Sequence, residues 1–404
     1  MRQSRRIGAV RQGRRIGTVR RDGRSGAVEP DAGIGPVKAG GRIGAVRRSG
    51  RSGRIDRSGR IGTGKPGGRS AFAGALVALT ALLGVSLIAA VGLGPVAIPF
   101  PDVARILLEA GAGAPAGPRQ VIVLDIRLPR VLLGAVVGAG LATVGAILQA
   151  VLRNPLADPY IIGASSGASL GAVLVMLAGV YPFGALSLPL SAFLGAMAAF
   201  ALVLGLSRSG GHLAPGRLIL AGVAVAALTE AVTSYIVLTT PEKEVRSALF
   251  WTLGGLSGTQ WRDVGIPALV VLAAAAWAIT RASRLNALVL GDEGATSLGV
   301  EVNRLRLRMI VVSALVIGTV VAVSGGIGFV ALMVPHAVRL VAGGDNRRLI
   351  PLSALTGALL LVWVDVGARM LNRPDEIPIG VITAVLGSPF FLMLLVRDGR
   401  RGLP

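Results

Sequence analysis

The sequence lacks cysteine altogether, and this excludes disulfides, thiolate metal ligands and cysteine nucleophiles. Only two of its 404 residues are histidines, His212 and His336, which are too few for a histidine-rich metal site. Aromatic residues make up only 4% of the chain and charged residues only 15%, whereas hydrophobic residues make up 52%. The mean hydropathy is +0.70. These proportions are typical of an integral membrane protein.

The positive charge is unevenly distributed along the chain. The formal net charge is +22, but residues 1–70 hold 19 Lys or Arg against 4 Asp or Glu, while residues 71–404 hold 23 against 16. Residues 5–67 form seven copies of a nine-residue repeat with glycine at the fourth place. So much Gly and Arg with so few apolar residues buries too little surface to offset chain entropy. We therefore expect a disordered Arg/Gly-rich tail over residues 1–70 and a membrane domain over residues 71–404.

Two short patterns are close to catalytic or nucleotide-binding motifs, but neither has the context that its motif needs. Residues 59–65, GRIGTGK, approach a phosphate-binding loop, yet Pro66 replaces the hydroxyl residue that would hold Mg²⁺ and no strand precedes it. Residues 163–167, GASSG, fit a nucleophile elbow but open an apolar segment without a preceding strand. The tail also lacks the aromatic residues that stack on RNA bases. We therefore expect neither an enzyme nor a nucleic-acid-binding protein.

Ten segments are long and apolar enough to cross a membrane as helices. A span needs about 20 apolar residues to cross about 30 Å of hydrocarbon. Residues 309–341 are too long for one crossing, and the run SGGIGF at 324–329 interrupts them, so we divide them into two short helices. The expected fold is therefore all-α, with ten spans and both termini on the same side. The other eight spans are 71–91, 131–152, 160–180, 186–206, 218–238, 264–280, 350–370 and 377–396.

The charges of the loops predict the orientation of this domain. With the N-terminus in the cytoplasm, the inner loops hold 14 Lys or Arg and 6 acids, and the outer loops hold 8 of each. Basic residues favour the cytoplasmic side of a membrane. We therefore place both termini in the cytoplasm, together with the polar insert at 281–308, which holds five arginines and three acids. We interpret this insert as an element that docks onto a soluble partner, with its arginines mainly anchoring the flanking spans at the membrane surface.

Seven short motifs occur in the same order as in a known family of membrane proteins. RLPR occupies residues 127–130, and RNPLADP at 153–159 forms a turn that two prolines make rigid. Together the motifs make the chain resemble the FecCD family, the permeases of ABC importers for ferric siderophores, haem and cobalamin, over about residues 71–397. The remaining motifs are GASSGAS, LGDEGATSLGV, GFVALMVPHAVR, GGDNRRLIP and EIPIGVITAVLGSPFF.

This resemblance implies a type II ABC importer permease fold with about ten transmembrane helices in the bacterial cytoplasmic membrane. Two permease subunits, either two copies of this chain or this chain with a paralogue, would work with cytoplasmic ABC ATPases and an extracytoplasmic substrate-binding protein, surrounded by membrane lipids. The chain itself would hold no cofactor, because ATP and Mg²⁺ bind to the ATPase subunit. A ferric siderophore is the expected cargo, with haem and cobalamin as alternatives. The rival interpretation is a secondary transporter driven by an ion gradient.

The resemblance assigns coupling with the ATPase to residues 290–300, within a cytoplasmic helical region at about residues 284–303. In the family, this segment forms two short helices that sit in a cleft of the ATPase. Gly291 and Gly299 would let the chain turn sharply, and Asp292 and Glu293 would complement the dipole at a helix start. The apolar side chains that would fill a notch in the partner are Leu290, Ala295 and Leu298.

The same resemblance assigns two further sets of residues. Arg127, Arg130 and Arg369, expected at the outer surface, would meet carboxylates of the substrate-binding protein, which arginine can bind with two parallel hydrogen bonds. For Arg369, an ion pair with Asp365 one helical turn earlier is the alternative. The residues that would narrow the cytoplasmic mouth of the pathway are Asn154, Leu156, Leu213, Ala214 and Pro215.

Glu230 lies near the middle of the fifth predicted span, where an ionised carboxylate is costly unless it faces water or a partner. One interpretation is a group in the pathway that meets a cationic or hydroxyl-bearing cargo. The other is a carboxylate that is hydrogen-bonded to Thr229 or Thr233. The sequence leaves both interpretations open.

Overall fold

The repeat tail lies outside the residues that the structure describes. The computed structural model describes residues 67–109, 117–209, 212–213, 215–240 and 242–399. The first helix already begins at Gly67, four residues before the predicted start of the membrane domain. The expectation of disorder for residues 1–66 therefore stays a prediction.

Helices account for most of the described residues, as the long apolar segments predict. The α-helices are α1 (Gly67–Gly92), α2 (Phe100–Glu109), α3 (Pro118–Val121), α4 (Leu128–Val151), α5 (Ala164–Ala178), α6 (Ser187–Ser207), α7 (Pro215–Leu238), α8 (Glu242–Thr252), α9 (Arg262–Leu288), α10 (Gly291–Ser297), α11 (Val302–Ser324), α12 (Val330–Ala342), α13 (Asn346–Met370) and α14 (Ile379–Gly399). A π-helical segment at Ile122–Arg127 joins α3 to α4, and 3₁₀ turns at Pro159–Ile162 and Gly184–Leu186 precede α5 and α6. A two-residue antiparallel pair, β1 (Arg208–Ser209) with β2 (His212–Leu213), connects α6 to α7. The predicted all-α class is confirmed, with this short hairpin as its one strand-like part among the described residues.

Ten of these helices are apolar and correspond to the ten predicted spans. Seven are long and apolar enough to cross a membrane, and three shorter ones, within α5, α12 and α14, complete the set over the described ranges. The division of residues 309–341 is confirmed, because α11 ends at Ser324 and α12 begins at Val330. Gly325 makes this break possible: its φ is +64°, and a Cβ there would collide with the carbonyl of Trp251. The glycine run thus ends one helix and brings it against α8.

α4 lies at the centre of the bundle. It packs against α9, α11, α12 and α13, and 78% of its most apolar stretch is buried, compared with 11% for α7. Its close approach to α13 and α12 needs small residues, because Gly138 faces the carbonyl of Gly357 and Gly145 faces that of Ala331. α4 is therefore core, whereas most of α7 is exposed.

The two ends of the bundle carry different connections. α4 and α9 both end near α10, as an ion pair between Arg153 and Asp292 shows, and we call this the α10 end. α2 and α8 lie on connections at the opposite end, and neither was predicted from the sequence. Both are short and carry charges among their apolar residues, so they do not stand out as spans.

Candidate functional site

The polar insert contains one short helix, α10, held between the end of α9 and the start of α11. The chain turns sharply on both sides of α10, since φ is +90° at Gly291 and +75° at Gly299, as predicted for these glycines. The family resemblance implied two short helices here, and this is wrong for the described structure. After α10 the chain forms a turn instead, in which the Val300 amide donates to the Ala295 carbonyl at 3.0 Å.

Asp292 fixes α10 to two other elements. Its carboxylate accepts two hydrogen bonds from Arg306 of α11, at 2.7 and 2.8 Å, and pairs with Arg153 at 3.1 Å. The Arg306 side chain is only 4% exposed, so it is not the surface anchor that the sequence predicted. Hydrogen bonds from Arg306 hold the pKa of the Asp292 carboxyl below its usual range, although burial opposes this shift. The carboxylate therefore stays charged and joins α10 to α11 and to the turn after α4.

Three large apolar side chains around α10 are exposed. Val289, Leu290 and Leu298 are 67%, 66% and 64% exposed, and we call them the α10 patch. Ala295, by contrast, is fully buried against the protein's own core, so the prediction that it fills a notch in a partner is wrong. Val289 was missed because it precedes the motif that carries the resemblance. Clustered exposed apolar side chains on a soluble loop mark an interaction surface.

The turn after α4 is held in one conformation by its own side chains. Arg153 adopts a left-handed φ of +51°. The Asn154 Oδ1 atom accepts a hydrogen bond from the Leu156 amide at 2.9 Å, and Asp158 Oδ1 accepts one from the Tyr160 amide at 2.8 Å. These side-chain caps replace the helical hydrogen bonds that the prolines prevent, so the turn is a fixed structure.

The predicted gate residues lie on two segments. Asn154 and Leu156 belong to this turn, and Leu156 is half exposed. Leu213 lies on β2 and Pro215 begins α7, while Ala214 is outside the described residues. The 3₁₀ turn at Pro159–Ile162, which follows the first segment, contacts α4, α7 and α11, and β2 also contacts α11, so both segments adjoin α11. Their role as a gate stays a prediction.

Asp158 carries a pH-dependent prediction for stability. Burial raises the pKa of its carboxyl to about 6, compared with a usual value of about 3.9. Because the folded state disfavours the ionised form, the stability that this group contributes is lost as the pH rises from about 4 through about 6. Asparagine keeps an oxygen for the Tyr160 amide without the charge. Asp158→Asn is therefore expected to raise the free energy of unfolding by about 1–2 kcal/mol at neutral pH.

The measurement is thermal unfolding of the purified chain in detergent at neutral pH and at a pH of about 4.5, below the raised pKa. The difference in unfolding temperature between the Asp158→Asn variant and the unaltered chain should be smaller at the lower pH. A variant that is less stable at neutral pH, or a gap that does not depend on pH, would contradict the buried-charge interpretation.

Four charged side chains form an ion cluster at the opposite end of the bundle. Arg130 donates to Asp365 through Nε at 2.9 Å and to Glu376 through both terminal nitrogens at 2.8 and 3.0 Å. Asp365 also pairs with Arg369 at 3.0 Å, and Ser257 donates a hydrogen bond to Glu376. The ion cluster therefore joins α4, α13 and the loops that precede α9 and α14.

The three arginines predicted at the outer surface are buried. Arg127, Arg130 and Arg369 are 5%, 8% and 4% exposed, so the expectation of open surface side chains is wrong. The acids of the ion cluster and the backbone at the end of α1 satisfy them instead. The carbonyls that accept from Arg127 are Val91, Gly92 and Val96, and those that accept from Arg369 are Ala90 and Leu93. The alternative for Arg369, a pair with Asp365, is present, and docking of a binding protein here stays a prediction.

Glu230 faces a cavity of about 550 Å³ that side chains of α5, α7 and α8 line. The hydroxyls of Thr229 and Thr233 donate to backbone carbonyls of α7, and Glu230 forms no hydrogen bond or ion pair with any described residue. This geometry favours the pathway interpretation over a bond to threonine. The hydroxyl-bearing residues of the cavity are Tyr160, Ser165, Ser166, Ser169, Thr233, Ser234 and Thr252. Within the described ranges, no group of three or more His, Asp or Glu is placed to hold a metal ion.

Comparison with known proteins places this geometry in a family. A family model described as the FecCD transport family matches residues 82–397. The cobalamin import system permease protein BtuC of Halobacterium salinarum is 46% identical over 285 residues, which cover 69% of this chain and 74% of the relative. The hemin transport system permease protein HmuU of Yersinia pestis is 44% identical over 279 residues, which cover 68% of this chain and 83% of the relative.

A solved structure has the same arrangement of helices. It is described as a metal-chelate type ABC transporter in an inward-facing conformation, and it superposes with a TM-score of 0.70 at 32% sequence identity. The match covers 80% of this chain and 98% of the other. The similarity therefore extends from the motifs to the path of the whole membrane domain.

Proposed function

The chain belongs to the FecCD transport family, and on this premise we propose that it is the membrane-spanning subunit of an ATP-driven importer for a ferric-siderophore-type iron chelate. Two permease subunits, cytoplasmic ABC ATPases and an extracytoplasmic substrate-binding protein form the working transporter. It lies in the cytoplasmic membrane of a bacterium, with both termini and the α10 end in the cytoplasm. The opposite end receives the binding protein. The chain transmits motion and encloses a path, and ATP hydrolysis takes place in its partner.

The observation that carries this proposal is an exposed apolar patch on both sides of a short helix, α10, that is fixed to α11 and to the turn after α4. The ATPases contact the α10 patch, and their closure displaces α10. Asp292 passes this displacement to α11 through Arg306 and to the turn after α4 through Arg153. That turn holds Asn154 and Leu156 at the mouth of the pathway. ATPase closure and the gate are therefore mechanically connected, as alternation between two conformations requires.

α7 supplies the surface for the second permease subunit. Its most apolar stretch is only 11% buried, with Leu220, Val223, Leu228 and Tyr235 exposed. Lipid could cover these four side chains, but Glu230 on the same helix needs water or a polar neighbour. A second copy of this chain, or a paralogue, facing α7 encloses a water-filled path between the two subunits. Glu230 then lines that path.

The hydroxyl groups and the Glu230 carboxylate in the cavity lining support an oxygen-rich chelate as cargo. The two relatives are named for cobalamin and hemin and the solved structure for a metal chelate, and these names support a large metal complex as cargo. These hydroxyls and Glu230 offer hydrogen bonds to the many oxygens of a siderophore. Haem and cobalamin are the alternatives.

Uptake into proteoliposomes tests this function. Vesicles that hold the permease with its ATPase, with the binding protein added on the opposite side, are expected to accumulate labelled ferric siderophore only when ATP is supplied. An ATPase that cannot hydrolyse ATP is the matched control. Preferential uptake of haem or cobalamin would contradict the proposed cargo but not the proposed role in an ATP-driven importer. Uptake that needs a proton gradient and no ATP, and that Glu230→Gln abolishes, would instead identify an ion-coupled secondary transporter.

A further inference from the structure

A basic pocket of about 340 Å³ lies beside α10, where the end of α9 meets the start of α11. Four arginines line this basic pocket, against a single acid, Glu301. The arginines are Arg281, Arg284, Arg304 and Arg308. Positive charge therefore predominates in a space that can hold a phosphate-bearing group.

Most of this charge has no partner among the described residues. Glu301 pairs with Arg304 at 2.8 Å, but both side chains are exposed, and such pairs contribute little. Arg284 and Arg308 form no hydrogen bond or ion pair with any residue that the structure describes, and the buried Nε of Arg281 has no acceptor there. The basic pocket thus offers donors that an anion would satisfy.

The faces that carry these arginines become apolar toward the middle of the membrane. On α11, positions 304, 308, 311 and 315 are three to four residues apart and share one face. Val311 and Leu315 on that face are 45% and 42% exposed. On α9, Trp277 lies one turn before Arg281 and lines the pocket. Tryptophan is typical of the level at which lipid head groups meet acyl chains.

We propose that the basic pocket binds an anionic phospholipid from the leaflet that borders the α10 end. The head-group phosphate contacts Arg281, Arg284 and Arg308, and the acyl chains lie against Trp277 and the exposed apolar face of α11. Basic pockets between membrane helices recognise anionic head groups in this way. A zwitterionic lipid offers the same acyl chains, but its own cation opposes the arginines. This proposal requires only that the chain is inserted in a membrane. It does not depend on the proposed cargo or on the ATPase.

The fluorescence of Trp277 can report whether a lipid occupies the basic pocket. The full-length chain is placed in phosphatidylcholine nanodiscs that contain equal small fractions of brominated phosphatidylglycerol or brominated phosphatidylcholine, because bromine quenches tryptophan on contact. Trp277→Phe supplies the fluorescence of the other three tryptophans, which is subtracted. The remaining signal is expected to be quenched more strongly by phosphatidylglycerol.

Removing arginines should weaken this preference. Arg284→Gln with Arg308→Gln is expected to lower the apparent affinity for phosphatidylglycerol roughly fivefold per arginine. Arg284→Lys with Arg308→Lys should retain most of it, because the charge remains. Arg217→Gln, at an exposed arginine near the start of α7, is the matched control and should change nothing. Should the double glutamine variant not fold, Arg308→Gln alone is measured, with a fivefold loss expected.

Three results would overturn the proposal. The first is equal quenching by the two brominated lipids in the unaltered chain. The second is a preference for phosphatidylglycerol that survives in the glutamine variants. The third is displacement of brominated phosphatidylglycerol by millimolar inorganic phosphate, which would assign the basic pocket to a soluble anion.

Discussion

Replacing Leu290 and Leu298 together by glutamate is expected to abolish ATP-driven uptake while the chain still folds and inserts. Both side chains are about two-thirds exposed, so the change removes little core packing. At the centre of an interface, however, the few side chains that dominate binding contribute about 2 kcal/mol or more each, and a buried glutamate in their place adds a desolvation cost. Two charges in their place should weaken association with the ATPase roughly a hundredfold or more. Co-purification of the ATPase and the binding affinity of the detergent-solubilised complex measure this loss.

The matched control moves the same substitution to the other end of the protein. Leu108 and Leu371 are 87% and 70% exposed at the opposite end, and Leu108→Glu with Leu371→Glu should leave recovery of the ATPase normal. Unchanged ATPase recovery and uptake in the Leu290→Glu, Leu298→Glu chain would remove the α10 patch from the coupling mechanism.

Asp365→Asn is expected to have the largest effect on stability. Asp365 is 1% exposed and contacts Arg130 and Arg369, whose side chains are 10% and 4% exposed. A neutral amide cannot balance two buried guanidinium groups, and removing one partner of a buried ion pair typically costs about 3–5 kcal/mol. We expect a lower midpoint of thermal unfolding and poor recovery from membranes. Fluorescence-detected size-exclusion chromatography after heating measures both.

Asp102→Asn is the control for this loss. Asp102 pairs with Arg119 at 3.2 Å, but the side chains are 29% and 69% exposed. Surface pairs of this kind contribute at most about 1 kcal/mol. If the two asparagine variants unfold at the same temperature, the ion cluster does not hold the opposite end together.

The ten spans could be predicted because each depends on a local property of the sequence. A long apolar run marks a helix, and the glycines near Gly325 mark the break between α11 and α12. The sharp turns at Gly291 and Gly299 likewise follow from the residue type. The burial of Arg306, by contrast, does not follow from a local property of the sequence. Its partner Asp292 lies 14 positions earlier, beyond the turns that separate α10 from α11, and no periodic pattern relates them.

The ion cluster could not be predicted for the same reason, because its members are even farther apart along the chain. Arg130 and Asp365 are 235 residues apart and meet only after α4 and α13 have packed together. Arginines near the end of a span usually lie at the membrane surface, so the sequence favours exposure. The exposure of Val289 similarly depends on the direction in which the chain leaves α9, which tertiary contacts decide.

α4 has an ionic contact at each end of its length. Arg130 near its start belongs to the ion cluster, and Arg153 just after its end contacts Asp292 of α10. Its 24 residues extend over about 36 Å at 1.5 Å per residue. Thermodynamic linkage then makes the effects of the two sites on each other equal. If the ATPase docks at the α10 end and the binding protein at the opposite end, as proposed, the free energy that a bound ATPase adds to binding of the binding protein equals the free energy that the bound binding protein adds to binding of the ATPase.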